Sequence, residues 1–349
     1  MGLFNKNKPA LNYILFEVTQ KCNLNCNFCY NHWKADSSAE KEEVSFGETM
    51  KTLKRLFKNN QVNHVTFTGG EPLLYERLEE LVLFCRMKGA TVSLITNGNA
   101  GNTQLFADLI GVGVKLVELP FHAPEASVHD RMTGVIGSWE KSLSTIRHIT
   151  KMGGYVVPVI VITKYNFNKI EEALTSLNDL GLRRVMINRY NIGGFGVHNR
   201  EKVVPTLAEL NEAFRQAATT AKNLKMEISS NVCTPHCVIN PKQYFPIAFT
   251  NCSMEVDKRP ITLTADGDVR FCNHSPSVMG NIHKKSLHKI FEEWTTQNPI
   301  LQPEYCSDCK KYETCMGGCR AAAEQDGKTF NDVDPLVELN PKYKNTQSA

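Results

Sequence analysis

Six short apolar runs, each followed by an amphipathic helical stretch, fill the first two-thirds of this 349-residue chain and leave few folds open to it. The runs start near Tyr13, Val62, Thr91, Val114, Tyr155 and Arg184. Ser45 and Glu48 form a capping box for a helix starting near Phe46, and Thr206 and Glu209 do the same near Leu207. Leu78, Leu81, Val82 and Cys85 share one helix face, which Gly89 is suited to end. Alternation of this kind predicts a parallel α/β sheet with right-handed crossovers, as a partial (βα)6 TIM-like barrel or a curved open sheet. After about residue 226 the pattern changes to cysteines, prolines and short turns. There, Pro260 to Cys272 reads as a β-hairpin turning at Asp266-Gly267, and Ser286 to Trp294 as one short helix. The polar stretch after Pro335 is expected to fray. The expected division is therefore 1–225 and 226–349.

Composition narrows the function. A net charge of +4 with no long basic run leaves no electrostatic footprint for nucleic acid or a membrane surface. No apolar stretch has the length of a transmembrane helix. Residues 1–10 are polar and basic, unlike a signal peptide, and Lys6 breaks the myristoylation pattern. The expectation is a cytoplasmic protein. Disulfides are rare in that compartment, so tight cysteine spacing there points to metal or redox chemistry. Of the twelve cysteines, three lie near the start, Cys85 stands alone, and eight lie between Cys233 and Cys319. Cys85, on the apolar helix face, reads as core packing.

In parallel α/β folds reactive groups gather at the C-terminal ends of strands. Three motifs fall there: Cys22 after the first strand, Gly69-Gly70-Glu71-Pro72 after the second, and Thr96-Asn97-Gly98 after the third. Cys22, Cys26 and Cys29 are spaced C-x3-C-x2-C. Three thiolates on one loop can hold three irons of a [4Fe–4S] cluster and leave the fourth open to a small molecule. Structural zinc, with His32 as fourth ligand, is the competing reading. Glu71 can accept hydrogen bonds from an ammonium, and the glycines permit close backbone approach to a ligand. Taken singly, Gly69-Gly70 and Asn97-Gly98 are turns.

The ordered set resembles the radical S-adenosylmethionine superfamily over roughly residues 12 to 200. The cysteine motif carries an aromatic Phe28 before its last cysteine. Gly69 to Pro72 resembles the segment that contacts the amino group of the methionine moiety. Thr96 to Gly98 resembles the segment near the ribose and carboxylate. His129-Asp130, Gly134 and Gly137-Ser138-Trp139 match a further stretch. The resemblance implies that the cluster binds S-adenosylmethionine and that one electron releases a 5′-deoxyadenosyl radical, which removes hydrogen from an unreactive carbon. Many relatives carry Ser-x-Asp-Gly after the fourth strand, where this chain has Pro120 and His122. His122 is thus a candidate substrate contact or proton shuttle, against the plainer reading of a hydrogen-bonded histidine at a strand end.

The C-terminal third, Cys252-x14-Gly267-x4-Cys272 and then Cys306-x2-Cys309-x5-Cys315-x3-Cys319, resembles the SPASM domain. One or two auxiliary iron–sulfur clusters are implied. By position Cys252, Cys272 and Cys319 would hold the first, completed by Cys237 in preference to Cys233. Cys306, Cys309 and Cys315 would hold the second. Its expected last cysteine, after Asp334-Pro335, is Val337, so Asp326, Asp332, Asp334 or water would have to substitute, or the cluster is open or absent. Zinc would suit C-x2-C-x5-C nearly as well.

The resemblance implies peptide modification, as a crosslink or oxidised residue in maturation of ribosomal peptides or peptide-derived cofactors. Haem-type precursors and sulfatase maturation are alternatives within the family, and a non-catalytic zinc protein is the alternative outside it. Arg189 is a candidate partner for a substrate carboxylate, against a structural ion pair. With about ten residues before the first strand, a peptide leader would be presented by a separate small binding protein or by the SPASM domain itself. A reductase, flavodoxin or ferredoxin would donate electrons.

Overall fold

The computed structural model describes residues 8–35, 42–253 and 259–346. Its spine is one sheet. Strands β1 (Ile14–Thr19), β2 (His64–Gly69), β3 (Thr91–Ile95), β4 (Val114–Pro120), β5 (Val156–Ile162) and β6 (Arg184–Arg189) lie side by side in chain order, all parallel. Parallel neighbours need a crossover, and helices α1 (Phe46–Asn59), α2 (Leu78–Met87), α3 (Thr103–Gly111), α4 (Ala126–Thr133), α5 (Ser138–Lys151), α6 (Ile170–Asp179) and α7 (Leu207–Leu224) provide it. Every residue of β1 is buried, as a strand covered on both faces must be. The core joins Phe16, Phe67, Leu94, Leu119, Ile160 and Ile187 from successive strands.

Of the two expected capping boxes, only the one on α7 closes in both directions. Ser45 accepts the Glu48 amide at the start of α1, and Thr206 and Glu209 close a reciprocal capping box on α7. Leu78, Leu81, Val82 and Cys85 form the buried face of α2.

The sheet runs past residue 225 at both edges. Strands β7 (Glu227–Ser230) and β8 (Ala248–Phe249) extend it beyond β6. At the other edge β9 (Ile261–Thr264) pairs in parallel with β1, Ile261 opposite Ile14, and β10 (Asp268–Arg270) and β11 (Val278–Asn281) follow antiparallel. Strands of two to four residues have too few alternations to read in sequence. The hairpin turns at Asp266-Gly267 with Gly267 at φ +90°, and α8 (Leu287–Gln297) follows, capped by Ser286.

Residues 335–343 are packed rather than frayed. Asp334 caps a 3-10 turn, Pro335–Leu339, by accepting the Leu336 amide, and Leu336, Val337 and Tyr343 are buried. Leu336 and Val337 on a short turn and Tyr343 just beyond it show no sequence periodicity, so their burial is a tertiary effect. No described helix is long and apolar enough to cross a membrane.

Candidate functional site

The Cys22–Cys29 loop leaves the C-terminal end of β1 and is stitched to three neighbouring segments. The Asn25 and Asn27 amides donate to the carbonyls of Thr133 and Met132 at the end of α4, both at 3.0 Å. The Cys29 carbonyl accepts the Gly196 amide, also at 3.0 Å. Asn97, after β3, donates to Asn23 Oδ1 at 2.8 Å and to Cys22 Sγ at 3.8 Å. Burial pushes the Cys26 thiol up, and Cys29 and Cys22 add to the rise; burial also raises Cys29. Thiols that repel one another as thiolates in a desolvated loop are suited to a cationic centre, which would relieve both costs. His32 is engaged elsewhere, its Nδ1 lying 3.2 Å from Arg270. Among the described residues no three Cys, His or carboxylate side chains form a group that could hold one metal ion. A multi-iron cluster takes its thiolates at wider separation than one ion does.

The glycines of Gly69-Gly70-Glu71 are required by that loop. The Gly70 and Glu71 amides donate to the Thr19 and Lys21 carbonyls at 2.8 and 2.7 Å. A Cβ on Gly69 would overlap the Thr19 carbonyl oxygen, and one on Gly70 the carbonyls of Lys21 and Gln20. Close approach therefore serves the chain leading into Cys22. Glu71 is fully buried and its carboxylate is already engaged. Oε1 accepts Thr96 Oγ1 at 2.5 Å and the Leu73 amide at 3.0 Å, and Oε2 accepts the Asn97 amide at 2.6 Å. Through these bonds Glu71 ties the loop after β2 to Thr96-Asn97-Gly98 after β3. Burial raises its carboxyl to about 7 against these three donors. Pro72 opens the 3-10 turn that Glu71 caps. Asp130 caps α5 through the Gly137 and Trp139 amides and Ser138 Oγ.

Neither proposed catalytic side chain is free for substrate in the sense expected. His122 is buried, stacked on His129 at 5.1 Å and met edge-on by Phe28 at 4.8 Å. Its Nδ1 accepts the Val161 amide at 3.3 Å. Burial, then His129, holds it neutral far below the usual histidine range, so proton shuttling near neutral pH has no support. Arg189 is buried and forms an ion pair with buried Asp334. It also donates to the carbonyls of Tyr190 at 3.0 Å and Cys233 at 2.6 Å. The structural ion pair is the reading the geometry favours: Arg189 fastens β6 to the cysteine-rich segment.

The C-terminal cysteines fall into two sets, with one exchange from the expected pattern. Cys233 and Cys272 pack against buried Cys319, and the Cys233 and Cys252 thiols are hydrogen-bonded. Cys233, Cys252, Cys272 and Cys319 are thus brought together, and Cys237 is not among them. Cys237 instead lies beside Cys315 and Cys309, and the Cys306 thiol, raised to about 12 by burial, faces Cys315, Cys309 and Cys237. Three residues separate Cys233 from Cys237, and no spacing rule says which of them turns toward which set.

Sequence reasoning missed two groups around the first set. Arg259 is buried, donates to the Ser253 carbonyl at 3.0 Å and lies 3.0 Å over the Phe271 ring. Cys272, Cys252, Cys233 and Cys319 all act on its charge. A buried cation beside four thiolates offsets their repulsion. Asn191 donates to Cys319 Sγ at 3.4 Å. Asn191 stands two residues past Arg189, just before Gly193-Gly194, whereas Arg259 had no signal beyond its position between Cys252 and Cys272.

The radical SAM superfamily model matches residues 16–177, and the SPASM iron–sulfur cluster-binding domain matches residues 252–316. This chain is a radical SAM protein with a SPASM domain. Such a protein takes a [4Fe–4S] cluster, S-adenosylmethionine and auxiliary clusters as cofactors. The radical SAM protein is 24% identical over 338 residues to the PqqA peptide cyclase of Xanthomonas campestris pv. campestris (strain 8004), covering 95% of this chain and 87% of the relative. It is 26% identical over 338 residues to the PqqA peptide cyclase of Methylocella silvestris, covering 95% and 88%. Among solved structures it superposes on anSMEcpe with bound AdoMet at TM-score 0.72 and 16% identity, covering 96% of this chain and 98% of that one. On Streptococcus suis SuiB bound to precursor peptide SuiA it superposes at TM-score 0.71 and 15% identity, covering 96% and 76%. These structures share its TIM-like fold.

Proposed function

We propose that this enzyme modifies a peptide, removing a hydrogen atom from one of its carbons to form a crosslink or an oxidised residue. The observation that carries this reading is the match to PqqA peptide cyclases across 95% of the chain, radical SAM and SPASM portions together. Residues 1–225 form the catalytic core and 226–349 the auxiliary portion.

Cys22, Cys26 and Cys29 would hold the catalytic cluster, with Asn97 directing an N–H toward Cys22. Gly69 to Pro72 and Thr96 to Gly98 would form the rim for S-adenosylmethionine, held in register by Glu71. The cluster and S-adenosylmethionine, when bound, supply a 5′-deoxyadenosyl radical. The protein's own work is orientation and exclusion of water. Phe28, packed on His122, keeps the loop's underside apolar, and the neutral imidazole adds no charge there. A separate small protein presenting the peptide leader, a flavodoxin or ferredoxin donor, and a cytoplasmic location complete the reading.

The test is anaerobic turnover with S-adenosylmethionine, reductant and short peptides encoded beside the gene. Release of 5′-deoxyadenosine with loss of two hydrogens from one peptide is the expected result. Cleavage of S-adenosylmethionine that no such peptide stimulates or consumes would defeat the proposal.

A further inference from the structure

Val337 stands where the SPASM resemblance implies a last cysteine. It is fully buried beside Cys306 in a small apolar cluster with Val333 and Tyr343. A valine donates nothing to iron, so Cys306, Cys309 and Cys315 need a fourth ligand from elsewhere. The nearby acids are engaged. Asp334 pairs with Arg189 and accepts the Cys319 and Leu336 amides, both at 2.8 Å. Asp326 pairs with Arg200 at 2.9 Å. Asp332 accepts the Thr329 amide and hydroxyl, both at 2.8 Å.

Cys237 lies against this turn. Asn340, three residues past Val337, donates its amide to the Val337 carbonyl at 2.8 Å and its Nδ2 to the Cys237 carbonyl at 3.0 Å. The neighbouring His236 amide donates to Cys315 Sγ at 3.3 Å. The Tyr305 hydroxyl and Cys237 thiol are hydrogen-bonded. Cys237 is not needed by the other set, which already has four members in Cys233, Cys252, Cys272 and Cys319.

We propose that Cys237 is the fourth ligand of the second auxiliary cluster, with Cys306, Cys309 and Cys315, taking the place vacated at Val337. This rests on the reading of these thiols as iron–sulfur ligands. The C-x3-C pair Cys233/Cys237 then gives one ligand to each auxiliary cluster and joins them through a single short segment. Each cluster has four cysteines, so neither leaves an iron open to substrate, and both are closed electron-transfer centres by the logic that separates closed from open metal sites. Cys237 and Cys309 are exposed, so the second cluster lies where an external electron donor can reach it.

The test compares full-length wild type, Cys237→Ala, Cys233→Ala and Cys237→Ala/Val337→Cys after anaerobic reconstitution. Iron and sulfide content and the low-temperature electron paramagnetic resonance spectrum are read, independently of turnover. Wild type should hold about twelve irons as three four-iron clusters. Cys237→Ala should lose up to about four, or convert one signal to that of a three-iron cluster. Cys233→Ala should alter a different signal. Restoring a thiol at the Val337 position should return the lost cluster. Where Cys237→Ala does not fold, the double variant carries the test, and an empty second site in it overturns the proposal. Full iron content and an unchanged spectrum in Cys237→Ala would also overturn it. So would loss of the same signal in both single variants. Wild type with about four irons overturns the iron–sulfur reading of both auxiliary sets together with this proposal.

Discussion

Replacing Arg189 with methionine should loosen the junction between β6 and the cysteine-rich segment more than it affects substrate affinity. Arg189 and Asp334 side chains are 1% and 0% exposed. Removing the guanidinium leaves a buried carboxylate without its counter-charge, a loss of about 3–5 kcal/mol. Burial already pushes the Asp334 carboxyl up, and Arg189 is the first group that pulls it back. Two backbone carbonyls, of Tyr190 and Cys233, also lose their donor. For a protein of this size the unfolding midpoint should fall by about 4–7 °C. Adding Asp334→Asn removes the stranded charge and keeps an acceptor for one of the Cys319 and Leu336 amides, which bond different Asp334 oxygens, so the double variant should regain about 1 kcal/mol. The assay is thermal unfolding of anaerobically loaded protein, with iron content and KM for peptide alongside. Cys233 and Cys319 both hang on this pair, so the first auxiliary cluster should become labile. A raised KM in Arg189→Met with an unchanged midpoint and iron content would refute the reasoning and return Arg189 to the substrate.

Gly70→Ala should cost the catalytic cluster, about four irons by analysis, because its Cβ meets backbone oxygens that no side-chain rotation can move. Glu71→Gln should weaken S-adenosylmethionine binding, measured by calorimetry, and lower stability by about 1–3 kcal/mol, since an amide cannot accept from three donors on both its atoms. His129 is held down to about 4 by burial. A base with a depressed folded pKa contributes its full stability above its unfolded value and loses it as pH falls. Denaturation midpoints should therefore drop between pH 6.5 and 4 by the equivalent of about 3 kcal/mol, and His129→Gln should flatten that dependence. Cys85→Ala should leave iron content unchanged and cost about 1 kcal/mol in urea denaturation, as a small apolar group lost from the α2 face.

What could be read from sequence is what is encoded locally. The six strand–helix units, the caps at Ser45 and Thr206, the Asp266-Gly267 turn and the Cys22–Cys29 spacing each depend on residues a few positions apart. The site's outline was legible for the same reason, since parallel strands bring their C-terminal ends to one edge whatever the helices between them. The tertiary structure decided where distant segments meet. It joined the hairpin to β1, set Cys233 apart from Cys237, and gave Arg189 to Asp334, 145 residues away. It also set the Glu71 carboxylate against Thr96 and Asn97 in the loop after β3. A buried charge or thiol takes the partner that satisfies it best in the packed state, and that partner's sequence position carries no local signal.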